Sequence, residues 1–195
     1  MMTQFYIRYD KDKFLQLMHE EYCKRVGIIT GSSKSAEDLC RRLCDWLYGQ
    51  RRFNSLLIMG APGTGKTTLV EALVAARRII DEEAVAHNLT AMIKAAILER
   101  RDLLEDGLCD FLIETKGLII DDLGHETPVV KVWGQDYRPA EMVIKQRSDK
   151  MMPTIITTNL MLDEIEKQYG SPRLADVLAQ YDKMQITNNK SFRRI

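Results

Sequence analysis

The segment Gly60-Ala-Pro-Gly-Thr-Gly-Lys-Thr67 carries glycines, a lysine and a hydroxyl at the spacing of a phosphate-cradling loop. Glycines let backbone N–H groups turn inward around phosphate oxygens, Lys66 reaches the β/γ-phosphates, and Thr67 offers a hydroxyl to Mg²⁺. The apolar run Ser55-Leu-Leu-Ile-Met59 precedes the loop and a helical stretch, Leu69 to Ile80, follows it. A helix N-terminus at that point adds partial positive charge where phosphate must sit. Binding of a nucleoside triphosphate is the first expectation, with Gly60, Ala61, Pro62, Gly63, Thr64, Gly65, Lys66, Thr67 and Thr68 as its contacts.

Two further runs end in groups that this chemistry needs. Leu118-Ile-Ile-Asp121-Asp122-Leu-Gly124 finishes an apolar strand in paired carboxylates and looks like a Walker B element. Asp121 is expected to hold Mg²⁺, directly or through water, and Asp122 to orient and deprotonate the attacking water. Thr154-Ile-Ile-Thr-Thr-Asn159 delivers an amide at the end of a second apolar strand, where Asn159 is placed to contact the γ-phosphate or the lytic water. The C-terminal edge of a parallel sheet is where such folds bind ligands.

The elements that must position these groups follow from periodicity. Helices are expected over residues 11 to 25 and from an N-cap at Ser35 to about Tyr48, separated by the linker Gly31-Ser-Ser-Lys-Ser35. Strands are expected at about 54 to 59, near Ala84 to His87, over Gly117-Leu-Ile-Ile120, over Pro153 to Thr158 and over Lys183 to Thr187. Leu89 to Arg101 reads as a helix, because Ala-Met-Ile-Lys-Ala-Ala-Ile-Leu is helix-favouring and amphipathic. Strands alternating with helices imply a parallel sheet with right-handed crossovers. At 195 residues and 45% hydrophobic content the chain suits one α/β domain.

Charge and composition exclude several classes. Lys plus Arg and Asp plus Glu are 28 each, so no strong basic field draws in nucleic acid or an anionic membrane, and any DNA contact must be local or built by assembly. No run approaches the ~20 apolar residues of a membrane span, and the N-terminus lacks a signal-type apolar core, which predicts a cytoplasmic protein with no membrane contact. Cys40 and Cys44, one helical turn apart, read as a buried face of reduced thiols rather than a zinc site. The pairs Arg51-Arg52, Arg77-Arg78 and Arg100-Arg101 read as helix-end charges, and His19, His87 and His125 share no metal-ligand spacing and receive no catalytic role.

Taken in order, Gly60 to Thr68, Leu118 to Gly124, Thr157-Thr-Asn-Leu160 and Tyr169-Gly170-Ser-Pro-Arg173-Leu174 resemble the AAA+ ATPases of the DnaC-type helicase loaders and IstB-type transposition helpers. The resemblance spans about residues 50 to 195. It implies a P-loop NTPase of AAA+ type: a three-layer sandwich with a mostly parallel five-stranded sheet and a short helical N-terminal extension. The domain division that follows is 1–50 for the extension, a partner-docking region, and 51–195 for an ATPase core lacking a C-terminal lid. It further implies ATP with Mg²⁺, slow hydrolysis stimulated by DNA, a partner or self-assembly, and a homo-oligomer when ATP is bound. The implied partners are a replicative helicase or transposase with single-stranded or target DNA.

One departure bears on catalysis. The family carries two arginines four residues apart after the Tyr-Gly phrase, the second commonly a finger entering the neighbouring ATP site. Arg173 matches the first and Val177 stands at the second, leaving Arg173 as the finger candidate with Arg147 as a substitute. The aromatics Trp133 and Tyr137, between Gly124 and Arg138, read as local packing or a partner contact. Alternatives are a nucleotide-gated interaction module with little hydrolysis and a P-loop small-molecule kinase. Guanine specificity lacks its Asn-Lys-x-Asp phrase.

Overall fold

Runs apolar on both faces become the inner strands of a sheet, and this chain has three of them. The computed structural model describes residues 9–28, 34–49, 53–84 and 90–187. Along the chain lie α1 (Lys11–Val26), α2 (Lys34–Tyr48), β1 (Leu56–Gly60), α3 (Lys66–Ala84), β2 (Thr90–Lys94), a 3₁₀ turn (Ala95–Glu99), α4 (Arg101–Glu105), α5 (Leu108–Glu114) and β3 (Gly117–Leu123). There follow a short hairpin of β4 (Val130–Val132) and β5 (Gln135–Tyr137), then α6 (Pro139–Asp149), β6 (Thr154–Thr158), α7 (Leu162–Tyr169), α8 (Pro172–Ala179) and β7 (Asp182–Ile186). The main sheet has five strands in the order β2-β3-β6-β1-β7, every neighbouring pair parallel.

Strand alternation divides the apolar side chains between two layers. Leu56, Ile58, Ile119 and Ile155 point into a cluster with Phe14, Met18 and Tyr22 of α1, Leu39 and Leu43 of α2, and Leu69 and Leu73 of α3. Leu57, Leu118, Ile120 and Ile156 point the other way, against Leu112 of α5, Val143 and Ile144 of α6, Ile165 of α7 and Leu178 of α8. Each such buried side chain stabilises the fold by about 1.5 to 3 kcal/mol, so both helical layers are held firmly on the sheet. The three-layer α/β sandwich expected from the sequence is what forms. Cys23, Cys40, Cys44 and Cys109 are buried and form no disulfide.

Local chemistry sets the helix ends. Asp10 caps α1 by accepting from the Lys13 N–H at 3.0 Å, and Gly27 closes it in the left-handed region at φ 68°. Ser171 caps α8, with Pro172 at the first helical position. Among the described residues no helix is long and apolar enough to cross a membrane.

Three expectations need correction. Leu89 to Arg101 is not a helix: Thr90–Lys94 is the edge strand β2, paired along β3, and only the residues beyond it turn helically. Backbone pairing with a buried neighbour outweighs the few tenths of a kcal/mol per residue of helix propensity in Ala-Met-Ile-Lys. Ser35 lies inside the first turn of α2 rather than capping it, since the helix starts at Lys34. The strand read near Ala84 to His87 does not begin at Ala84, which ends α3; 85–87, like most of the linker Gly31 to Ser35, lie outside the described residues.

Candidate functional site

Strand order explains how distant residues meet. β6 lies between β1 and β3, so the loop after β1, the carboxylates ending β3 and the residue after β6 emerge side by side at one edge of the sheet. The loop carries φ 79° at Gly63 and 89° at Gly65, angles that side-chain-bearing residues rarely adopt. Lys66 opens α3 with its ammonium buried, donating to Gly60 O at 2.6 Å, Ala61 O at 2.9 Å and Asn159 Oδ1 at 2.6 Å. Lys66 and Asn159 thus meet directly.

The pair expected to hold the metal also converges. Thr67 Oγ1 donates to Asp121 Oδ1 at 3.1 Å, and Thr157 Oγ1 donates to the same oxygen at 2.6 Å. A hydroxyl beside a fully buried carboxylate is a hard-oxygen donor set of the kind Mg²⁺ takes, so the residues present fit that ion. Asp122 sits at φ 62°, a left-handed conformation costing about 1 to 2 kcal/mol for an L-residue, and its N–H is pinned by Thr157 Oγ1 at 2.9 Å. Thr157 therefore holds the Asp121 carboxylate and the Asp122 backbone at once.

A cavity of about 570 Å³ opens over these groups, a size suited to a nucleotide. Its floor is Gly63, Gly65, Lys66, Thr67 and Thr68; Asp122, His125 and Asn159 line it, and the last turn of α1, Lys24 to Gly27, faces the loop. Lys24 and Arg25 each bond Glu21 at 2.7 Å, and those two contacts hold the Glu21 carboxyl below its ordinary pKa.

Sequence reasoning missed three contributors. Lys94 ends β2 in register with Asp121, and its ammonium bonds Asp121 Oδ2 and lies 3.7 Å from Asp122 Oδ2. Burial pulls the Lys94 pKa down, but the hydrogen bond and charge of Asp121, with Asp122 and Glu71 behind, hold it above the ordinary lysine value. His125, assigned no role from its spacing, sits 3.1 Å from Asn159 Nδ2 through Nε2. The amide can only donate there, so the ring nitrogen accepts and Asn159 Oδ1 is left facing Lys66. The signal for His125 was its place three residues after Asp122; that for Thr157 was the Thr-Thr-Asn phrase.

The arginines part company. Arg173 is exposed at the start of α8, away from the cavity lining. Arg147 cannot act as a finger: it is wholly buried, donating to Thr154 Oγ1 at 2.9 Å and to the carbonyls of Leu112, Ile113, Thr115 and Pro153 at 2.6 to 3.1 Å. Arg100 and Arg101 are paired with Asp102 and Glu105. Trp133 is 71% exposed at the hairpin tip, whereas Tyr137 packs locally, its hydroxyl on Met142 Sδ at 3.3 Å.

No protein-family model matches the chain, and no curated protein sequence matches it. Solved structures do. The chain is similar to DnaI, with a TM-score of 0.57 and 14% identity over 93% of each chain. It is similar to the DnaC helicase loader at TM-score 0.56 and 19% identity, covering 80% of this chain and 91% of that one. AMPPCP-bound DnaA from Aquifex aeolicus matches at TM-score 0.55 and 15% identity over 85% of this chain, which spans 50% of that protein. At these identities the likeness establishes a shared fold, that of the AAA+ P-loop NTPases, in agreement with the motifs.

Proposed function

We propose that the chain is an Mg²⁺-dependent ATPase that assists DNA replication as a loader of a replicative helicase. The observation that carries this reading is the convergence of Lys66, Thr67, Asp122 and Asn159 on one nucleotide-sized cavity, with Asp121 bonded to Thr67 behind them. Lys66 exchanges its contacts with Gly60 O and Ala61 O for β/γ-phosphate oxygens, an exchange of neutral acceptors for charged ones that favours the bound state. Thr67 and Asp121 hold Mg²⁺, which when bound neutralises charge developing on the phosphoryl oxygens. Asp122 takes a proton from the attacking water, and Asn159, held by His125, orients that water.

Hydrolysis is slow in the single chain because no arginine of its own reaches the cavity from α8. Arg173, exposed, enters the site of a neighbouring subunit, so the active form is a homo-oligomer assembled on ATP. Residues 1–50 form the docking region: α1 and α2 spend their apolar stripes on the core, leaving Lys13, Gln16, Asp38 and Arg41 outward for a partner. Likeness to a structure described as a helicase loader favours loading, with single-stranded DNA, over the transposase alternative.

The test is steady-state ATP hydrolysis across protein concentrations, with and without single-stranded DNA. A specific rate that climbs with either supports the loader. A flat rate near zero with ATP still bound moves the assignment to a nucleotide-gated interaction module. Arg173→Ala should lower the rate only where the protein is assembled; equal loss in the dilute monomer excludes a finger acting between subunits.

A further inference from the structure

We propose that Lys94 is a built-in counter-ion of the metal-binding carboxylate, occupying Asp121 until Mg²⁺ displaces it, so that this one side chain sets the Mg²⁺ concentration at which the site becomes competent. The inference rests on the nucleotide reading above and deepens it. Three groups bond Asp121, and they differ in how readily they leave. Thr157 approaches from the buried strand β6 and Thr67 from the first turn of α3, both fixed by their elements. Lys94 alone comes from the edge strand β2, and its side chain is 51% exposed, with water on the side away from the carboxylate.

Register makes the contact unavoidable. Lys94 and Asp121 are Cα partners on parallel neighbours, which puts both side chains on the same face of the sheet. A buried carboxylate with two hydroxyl donors but no cation is costly, and the ammonium removes that cost before metal binds. The same arrangement sets two cations in competition for one carboxylate. The ammonium has somewhere to go: Asp122 Oδ2 is already 3.7 Å away. Lys94 can therefore release Asp121 while keeping a charged partner, and its hold on Asp121 weakens Mg²⁺ affinity by mass action.

The experiment follows the fluorescence of N-methylanthraniloyl-ATP bound to the full chain, first in EDTA and then on titration with MgCl₂. Wild type and Lys66→Ala come first; absence of probe binding by wild type would refute the nucleotide reading itself, leaving the Lys94 arm unread only because its premise is gone. With binding established, Lys94→Gln should lower the Mg²⁺ midpoint by about 3- to 10-fold, since a competing positive charge has been taken away. Lys94→Arg, which keeps the charge and pairs more firmly with carboxylates, should leave the midpoint at or above that of wild type. A midpoint that is unchanged or raised in Lys94→Gln, or lowered in Lys94→Arg, overturns the proposal. The arginine variant keeps the ion pair, so the test stands even if the glutamine variant does not fold.

Discussion

Lys66 and Arg147 are both buried cations, 4% and 0% exposed, at opposite edges of the same sheet, yet they do different work. Arg147 spends its guanidinium on four backbone carbonyls and the Thr154 hydroxyl, tying α5 and the start of β6 to α6. Burial pulls its pKa down to about 10, and it is not among the residues lining the nucleotide-sized cavity. Lys66 bonds two carbonyls of its own loop and one side-chain amide, and those partners face a cavity. Burial of a charge therefore does not by itself mark a functional site. What distinguishes one is whether its partners can be exchanged for a ligand.

Substitutions can break this contrast, starting with the largest effect. Asp122→Asn should keep nucleotide binding and lose turnover by about 10²- to 10⁴-fold, the range of a general base. Asparagine tolerates the φ of 62° at this position, so loss of fold is not expected, and wild-type turnover in the variant would move the base elsewhere. Arg147→Ala should cost about 3 to 5 kcal/mol of stability in urea denaturation, because it strands the carbonyls the guanidinium serves. A variant of wild-type stability with lost ATPase activity would instead return Arg147 to the active site. Lys66→Ala should cost about 1.5 to 3 kcal/mol of triphosphate binding, roughly 10- to 150-fold, with the thermal midpoint of the free protein unchanged or raised. Unchanged nucleotide affinity would sink the phosphate-loop assignment.

The smallest effect is read from thiols. Burial pushes Cys109 up to about 11 and Cys40 up to about 12. Both are therefore neutral at pH 8, and alkylation of the folded protein by iodoacetamide should be slow there, accelerating as pH rises toward 11. Fast labelling of either residue at pH 8 without denaturant would show that its layer opens readily.

The site was legible where chemistry and backbone geometry are written in the same few residues. Gly60 to Thr68 fixes a loop, and an apolar run ending in Asp121-Asp122 or Asn159 fixes a strand and what it presents. β2 was not legible, because its identity depends on pairing with β3 and its own residues favour a helix. Lys94 was lost with it, since only the register with Asp121 gives that lysine a meaning. Arg147, read from the sequence as a substitute finger, failed for the converse reason: nothing local announces that α5 leaves its carbonyls turned toward it. Helices α6, α7 and α8 were likewise left undivided by the sequence reading.

The place of β6 between β3 and β1 has a consequence for synthesis on the ribosome. The phosphate loop and the paired carboxylates are translated well before residue 154, but without β6 no strand joins the two that carry them. A nascent chain that has reached only α6 thus contains nearly every ligand-binding group and no binding site. Parallel strands brought together across such sequence separations assemble late. Nucleotide affinity should consequently arise in one step, as Thr154 to Thr158 clears the exit tunnel and closes the sheet.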